Sequence, residues 1–253
     1  MSALLEVRSL IKSFGGVLAL DGISFKVEAG QILSIIGPNG AGKTTLFNVI
    51  TGAIPPDSGD ILFEGRSIKG LQPNQTAQLG IGRTFQIVRP FPGLTTLDNV
   101  ALAALCKAGT RREARRRAEE ILEITRLSPF ANIESRNLTL GRRKRLEIAR
   151  AMALEPRIIL LDEVMAGLTP AEVDETVALI KDLTRMGISS VAGVEHVMQA
   201  VRKISDWIVA LNFGQWLAEG PPEVVMRNPE VIRAYLGSRY AEAKESQGWP
   251  ARS

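Results

Sequence analysis

A glycine-rich segment, Gly-Pro-Asn-Gly-Ala-Gly-Lys-Thr-Thr at positions 37–45, limits the possible folds of this chain more than any other feature. It follows the apolar run Ile32–Ile36 and opens a segment of helical character, Lys43–Ile50. Glycines let successive backbone N–H groups point at one phosphate, and the helix adds its positive dipole end. A full G-x-x-x-x-G-K-[ST] match between a strand and a helix predicts a phosphate-binding P-loop in an α/β protein. A glycine-rich turn without a ligand is the alternative. The predicted contacts are Gly37, Pro38, Asn39, Gly40, Ala41, Gly42, Lys43, Thr44 and Thr45.

Three side chains of the P-loop (residues 37–45) have distinct expected roles. Lys43 can reach the β- and γ-phosphates of a nucleoside triphosphate, and Thr44 can offer its hydroxyl to Mg²⁺. Thr45 is expected to support the α-phosphate. The predicted ligands are therefore a nucleoside triphosphate and Mg²⁺, held where a strand ends and a helix begins.

A second motif is an acidic pair that follows an apolar run. Residues 158–161 are Ile-Ile-Leu-Leu, and Asp162 and Glu163 come directly after them. Ligands of α/β sheets bind at the carboxyl ends of the strands, which is where such a pair would lie. Asp162 is expected to hold Mg²⁺ through water, and Glu163 to polarise the attacking water as a general base. An ordinary surface pair of acids is the alternative interpretation.

Strand and helix signals alternate along the rest of the chain. Apolar residues at every second position predict a half-buried strand over Ile23–Val27, and apolar runs predict further strands at Ile188–Val194 and Trp207–Leu211. Such alternation predicts a mostly parallel sheet flanked by helices. Residues from about 95 to 155 are rich in Ala, Leu, Arg and Glu with helical spacing, which predicts a helical subdomain inserted into this core. Thr169 is expected to cap the helix that follows it.

Composition bears on where the chain works. Its single cysteine, Cys106, excludes an intramolecular disulfide and favours a reducing compartment. Apolar runs are much shorter than the roughly 20 residues of a membrane span. Glu6 and Arg8 interrupt the N-terminal segment where a signal peptide requires apolar residues. The sequence therefore predicts a protein that is cytosolic or peripheral to a membrane, and one that would need other subunits to cross that membrane.

Two basic clusters, within residues 111–117 and 142–145, could face nucleic acid or anionic lipid. Acidic residues lie near the first cluster in the sequence, at Glu113, Glu119 and Glu120. This pattern favours a solvated helix face with ion pairs along it. No nucleic-acid partner is expected.

The segment Leu138-Thr139-Leu140-Gly141-Arg142, followed by a basic helix rich in Arg and Ala, resembles the signature motif of ABC ATPases. That motif reads LSGGQ and lies shortly before the acidic pair, as it does here. In the family, its hydroxyl and backbone N–H groups bind the γ-phosphate of ATP held by another subunit. Thr139 retains a hydroxyl and Gly141 the close backbone approach, whereas Leu140 and Arg142 depart from the motif. The effect of these departures on ATP contact is left open by the sequence.

The same resemblance implies roles for three further residues. Gln86 matches the Q-loop glutamine, which would contact Mg²⁺ and the attacking water. His196, the only histidine of the chain, matches the switch histidine that hydrogen-bonds the γ-phosphate. Phe14 matches the aromatic residue that stacks on adenine, with an ordinary core phenylalanine as the alternative.

The resemblance extends from about Leu5 to Leu236 and implies the fold of the family. That fold is α/β: a P-loop NTPase core with a mostly parallel sheet, an N-terminal antiparallel β subdomain and an inserted α-helical subdomain. Residues 1–237 would form a single ABC ATPase domain, and residues 238–253 a polar tail. The ending Asn-Pro-Glu-Val-Ile-Arg-Ala-Tyr-Leu-Gly at 228–237 is similar to that of branched-chain amino-acid importers.

The function implied is that of the ATP-hydrolysing subunit of an ABC transporter. Two such subunits, identical or related, would enclose two ATP molecules and drive separate membrane permease subunits, with a solute-binding protein as an indirect partner. The resemblance thus implies a cytoplasmic protein that lies peripherally on the inner face of the cell membrane. Import of branched-chain amino acids or similar small polar solutes is favoured. The alternatives are an exporter ATPase, such as one for lipopolysaccharide, and a soluble ABC ATPase acting on nucleic acid or ribosomes. A non-hydrolysing scaffold is disfavoured because Glu163, Gln86 and His196 are all present. The sequence does not contain the identity of the solute.

Overall fold

The computed structural model describes residues 3–85, 90–194 and 198–235. The strands are β1 (Leu5–Phe14), β2 (Val17–Val27), β3 (Ile32–Ile36), β4 (Ser58–Phe63), β5 (Arg66–Ser67), β6 (Ile81–Arg83), β7 (Ile158–Asp162), β8 (Ser189–Val194), β9 (Trp207–Asn212) and β10 (Gln215–Gly220). The α-helices are α1 (Lys43–Ile50), α2 (Pro73–Leu79), α3 (Thr96–Ala104), α4 (Arg111–Ile124), α5 (Leu140–Met152), α6 (Pro170–Arg185), α7 (Met198–Ile204) and α8 (Pro222–Val225). Short 3₁₀ turns lie at Ser128–Phe130 and Ser135–Asn137.

The larger sheet has the strand order β10-β9-β3-β8-β7-β6. The five neighbouring strands β6, β7, β8, β3 and β9 run parallel to one another. Strand β10 pairs with β9 in the antiparallel direction. Every residue of β3 is buried, because Leu33 and Ile35 pack into one hydrophobic core and Ile32 and Ile36 into another. The predicted, mostly parallel sheet with both faces covered is therefore confirmed.

The smaller sheet is antiparallel, with the order β2-β1-β4-β5. Its inward residues, such as Val7, Ile23 and Ile61, belong to the same core as Leu33 and Ile35 of β3. The antiparallel sheet therefore packs as part of the core that surrounds α1. This is the N-terminal antiparallel unit that the family resemblance implies.

Helices α3, α4 and α5 form a third layer with a core of its own. The residues of that core are Leu97, Val100, Ala104, Ala114, Ala118, Leu122, Leu127, Leu138, Leu146, Ala149 and Ala153. All of them lie between positions 97 and 153, inside the segment expected to be helical. The exact limits of the domain and subdomain, 1–237 and about 95–155, stay predictions.

The basic residues of α4 face solvent in ion pairs one helical turn apart. Arg115 pairs with Glu119, Arg116 with Glu120, and Arg117 with Glu113. The predicted solvated and ion-paired face is confirmed for this cluster. It does not hold throughout the second cluster, because Lys144 is only 7% exposed.

The helix start predicted at Thr169 is also confirmed. The Thr169 hydroxyl accepts a hydrogen bond from the Glu172 backbone N–H, and the Glu172 carboxylate accepts one from the Thr169 N–H, which is a capping box. Within the described ranges, none of the helices is both long and apolar enough to cross a membrane.

Candidate nucleotide-binding site

The P-loop joins β3 to α1 and ends at a helix N-terminus open to a ligand. Gly42 is the N-cap residue of α1, with φ of 103°. Among the described residues, no side chain caps this end, and its first turn carries no acid. The first N–H groups of a helix have no partner inside the helix, so here they can be satisfied by phosphate oxygens.

Two glycines fit the P-loop tightly against neighbouring strands. A Cβ at Gly37 would collide with the Leu211 carbonyl oxygen of β9, and a Cβ at Gly42 with the Ala19 carbonyl oxygen of β2. Gly42 also has a positive φ that L-residues rarely adopt. The path of the loop is therefore set by β9 on one side and β2 on the other.

Lys43 is the first residue of α1 and is 5% exposed. Its Nζ donates to the carbonyl oxygens of Gly37 at 2.6 Å and Pro38 at 3.0 Å. The loop thus curls around the ammonium group and places a positive charge beside the N-terminus of α1. Thr44 and Thr45, also predicted contacts, are half-buried in the first turn of this helix.

Asp162 ends β7 at the carboxyl edge of the parallel sheet and is 2% exposed. Its N–H donates to Thr84 Oγ1 at 3.1 Å, and its Oδ2 lies 3.2 Å from Nη2 of Arg83. Arg83 also donates to Oδ1 of Asn48 on α1 at 2.7 Å. Burial lowers the pKa of the Arg83 guanidinium, and the charge of Asp162 opposes that shift. Arg83 therefore ties the predicted Mg²⁺ carboxylate to the helix that follows the P-loop.

We expect Arg83→Met to lower the free energy of unfolding by about 3 kcal/mol, because a buried carboxylate would lose a cationic partner. Urea denaturation followed by circular dichroism measures this loss. The control is Arg185→Met, since Arg185 pairs with Asp182 but is 77% exposed. The control should cost less than about 1 kcal/mol. Equal losses in the two variants would contradict a structural role for the Arg83 pair.

Glu163 forms the turn that leaves β7. Its φ is +49°, a left-handed conformation that is uncommon outside glycine and tends to occur at functional sites. Its N–H donates to the Gly193 carbonyl oxygen at 3.1 Å, and its own carbonyl oxygen accepts from the Ala166 N–H at 3.2 Å. The turn keeps the half-buried Glu163 beside Asp162 at the carboxyl edge of the sheet.

Residues 138–142, the signature segment, lead into α5, which begins at Leu140. Leu138 is buried in the helical core, whereas Thr139 and Leu140 are exposed. Thr139 is the N-cap, and its hydroxyl accepts from the Arg142 N–H at 3.4 Å. An exposed hydroxyl at a helix N-terminus is a suitable contact for a phosphate.

The remaining signature residues contact their own chain. A Cβ at Gly141 would meet the Glu172 carboxylate, so α5 lies close to the start of α6 here and a larger residue would displace that side chain. The Arg142 guanidinium lies 3.8 Å from the centroid of the Phe130 ring. Arg142, one of the two departures from the family motif, is therefore engaged in a cation–π contact within the helical layer.

Phe14 ends β1 and is 46% exposed, with Lys12 Nζ 5.4 Å from the centroid of its ring. It pairs with Val17 at the end of the β1–β2 hairpin. Strand β2 is the second strand of this hairpin, and its residue Ala19 lies against Gly42 of the P-loop. The core phenylalanine alternative is wrong, because the ring is exposed in the hairpin that borders the P-loop.

Two predicted residues, Gln86 and His196, lie outside the described residues. Strand β6 ends three residues before Gln86, and β8 ends two residues before His196. The roles assigned to both stay predictions.

The oxygen donors at this site suit Mg²⁺. Mg²⁺ prefers hard oxygen ligands and is commonly held by one or two carboxylates together with substrate phosphates. Thr44 and Asp162 provide a hydroxyl and a carboxylate near the P-loop. Among the described residues, no group of three or more Asp, Glu, His or Cys side chains could hold a metal ion. The hydroxyl and the carboxylate fit Mg²⁺ in combination with substrate phosphates.

Two residues at the site were not predicted from the sequence. Arg83 lies on β6, a three-residue strand too short to show a periodic pattern. Lys144 was expected on a solvated face, yet its Nζ donates to the carbonyl oxygens of Glu163 and Ala166. The spacing of Lys144 from the buried residues Gly141 and Ile148 carried the signal that it faces inward.

Comparison with known proteins places this site in a family. Residues 20–166 match the family model described as ABC transporter, and residues 217–241 match the one described as branched-chain amino acid ATP-binding cassette transporter. The high-affinity branched-chain amino acid transport ATP-binding protein BraF of Pseudomonas aeruginosa is 45% identical, over 92% of this chain and 98% of its own. LivG of Escherichia coli, with the same description, is 42% identical over the same shares.

A solved structure agrees with these relatives. The ADP conformation of MJ1267, an ATP-binding cassette of an ABC transporter, superposes with a TM-score of 0.86 at 31% identity. The match covers 94% of this chain and 100% of MJ1267. The relatives and the solved structure cover more than nine tenths of this chain, including the P-loop and the acidic pair. The chain belongs to the ABC transporter family, as one of its ATP-binding and ATP-hydrolysing subunits.

Proposed function

We propose that this chain powers the import of branched-chain amino acids or similar small polar solutes. The observation that carries the solute class is the match of residues 217–241 to the branched-chain family model. The described part of this segment includes α8 and a helix over residues 229–235. Its Val225 and Val231 are buried against the core that also contains α6 and α7. The described part of the segment, up to residue 235, is thus a structured part of the ATPase fold.

The P-loop residues would bind ATP and orient it for hydrolysis. The N–H groups at the start of α1 and the Lys43 ammonium would hold the phosphates, with Phe14 against the adenine. Thr44, Asp162 and Gln86 would hold Mg²⁺, which when bound neutralises charge developing on the phosphates. Glu163 would accept a proton from the attacking water, and His196 would orient that water.

The signature segment would complete the site of a second ATPase subunit, either a copy of this chain or a related one. Thr139 and Leu140 are exposed at the start of α5, where the hydroxyl and N–H groups can reach a ligand from outside. Each ATP would then lie between the P-loop of one subunit and the signature segment of the other. ATP binding would close the pair and hydrolysis would release it. The pair would act at the cytoplasmic face of the membrane, on separate permease subunits.

Solute uptake by cells that lack this chain tests the proposed substrate class. Deletion should abolish high-affinity uptake of radiolabelled leucine, isoleucine or valine, or of an amide or urea. Uptake should return with the natural chain and not with Glu163→Gln, produced at the same level. Unchanged uptake of all these solutes would contradict the import proposal.

Affinity purification from detergent-solubilised membranes tests the partners. Co-purification of multi-span membrane proteins and a second ATPase would support a transporter. Recovery of a solute-binding protein with the same complex would support import. Recovery of lipopolysaccharide-transport components would favour the exporter alternative. Reproducible recovery with ribosomes or DNA, without a membrane protein, would favour a soluble ABC ATPase.

A further inference from the structure

Lys144 is a buried cation on α5 that belongs to none of the motifs of the nucleotide site. It is 7% exposed, although it lies in a run of basic residues. Gly141 and Ile148, three residues before it and four after it, are also buried, which places all three on the inward face of the helix. Desolvation by burial lowers the pKa of Lys144. A cation kept in such a position needs close polar partners.

Those partners are two backbone carbonyl groups of residues 163–166, here called the catalytic turn. Lys144 Nζ donates to the carbonyl oxygen of Glu163 at 2.7 Å and to that of Ala166 at 2.6 Å. Charge-assisted hydrogen bonds of this length are about twice as strong as neutral ones. The turn also contains the left-handed backbone of Glu163. One ammonium group therefore holds both ends of the turn.

Neighbouring contacts join the same two parts of the chain. A Cβ built at Gly167, just after the turn, would lie 3.3 Å from Cδ2 of Leu140. Arg145 pairs with Glu175 of α6 at 3.0 Å. The start of α5 therefore packs along the segment that runs from the catalytic turn into α6. Of the three contacts, the one made by Lys144 is a hydrogen bond to the backbone carbonyl oxygen of Glu163.

We propose that Lys144 is a positioning residue that fixes the catalytic turn from α5, so that ATP hydrolysis depends on where the signature segment lies. This inference rests on the proposed role of Glu163 as general base. The same helix that would contact the ATP of a partner subunit thereby sets the backbone of the base in its own subunit. Loss of Lys144 should leave ATP binding intact and impair the hydrolytic step.

The test compares Lys144→Met with Lys144→Arg in the full chain, purified with whatever subunits accompany it. Lys144→Met is expected to lower kcat for ATP about tenfold or more, because small displacements of a catalytic group are costly, with KM changed less than about threefold. Lys144→Arg keeps the charge and several donors and should recover most of kcat. Arg145→Met is the matched control, since it removes a link from α5 to α6 that does not reach the catalytic turn. Its kcat should fall much less than that of Lys144→Met, because the ion pair that it removes joins α5 to Glu175 and contains no residue of the catalytic turn.

A binding measurement separates positioning from a general structural defect. In a Glu163→Gln background, adding Lys144→Met should change ATP affinity less than about threefold. Loss of ATP binding in proportion to turnover would overturn the inference, as would equal loss of kcat in Arg145→Met. If Lys144→Met does not fold, Lys144→Gln replaces it, and a kcat equal to that of Lys144→Arg would overturn the inference. Undiminished turnover in Glu163→Gln would instead refute the role of Glu163. Natural kcat in Lys144→Met, with Glu163→Gln inactive, would refute the role of Lys144 alone.

Discussion

Glu163→Gln is expected to lower ATP turnover by about 10²- to 10³-fold, while ATP affinity stays within about threefold. The amide keeps the size and the backbone turn of the natural residue but cannot accept the proton of the attacking water. The Lys43 and P-loop contacts to phosphate would be unaffected. Steady-state phosphate release and equilibrium binding of ATP measure the two quantities separately.

The matched control for this variant is Glu119→Gln on α4. The Glu119 side chain is 60% exposed and its ion pair with Arg115 lies in the helical layer. Turnover in the control should stay within about twofold of the natural chain. If Glu163→Gln hydrolyses ATP at the natural rate, another group must activate the water and the assigned role of Glu163 is wrong.

Lys43→Ala is expected to weaken ATP binding by about 100-fold, with turnover lost at ordinary ATP concentrations. A hydrogen bond to a charged group is worth about 1.5–3 kcal/mol, and 1.4 kcal/mol corresponds to a tenfold change in affinity. The substitution also removes the ammonium that the carbonyl oxygens of Gly37 and Pro38 surround. Titration with a fluorescent ATP analogue measures the affinity.

Lys69→Ala is the control for the loss of a lysine that bonds to a backbone carbonyl. Lys69 Nζ donates to the Gly59 carbonyl oxygen at 2.9 Å, in an exposed turn of the antiparallel sheet. ATP affinity should change less than about twofold in this variant. Comparable weakening in both variants would indicate a general effect of net charge and contradict the specific role of Lys43.

The sequence alone predicted those features of the fold and the site that are determined by a short run of neighbouring residues. The P-loop, the apolar run that ends in Asp162 and the helix start at Thr169 each depend on neighbouring residues only. The prediction that Lys144 lies on a solvated face was wrong. Four successive basic residues, 142–145, point to all sides of a helix, so their charge alone does not show which of them faces inward. Helical spacing from Gly141 and Ile148 would have identified it.

Other features of the site depend on residues far apart in the sequence. Arg83 reaches Asp162 because β6 pairs with β7, which no local pattern contains. The contact of Arg142 with Phe130 likewise depends on the packing of the helical layer. Such contacts follow from tertiary structure and have no local pattern in the sequence.

The strand order has a consequence for how this chain folds as it is synthesised. Strand β3, which leads into the P-loop, has β8 and β9 as its neighbours among the described strands, and Ile32 lies opposite Ser190 of β8. The ribosome must therefore complete almost the whole ATPase before the P-loop strand has a neighbour. Until then, the β1–β2 hairpin and the helical layer can form from local contacts, which are fast to make. Both edges of β3 therefore lack a strand partner for most of translation, the stage at which such chains are prone to aggregate.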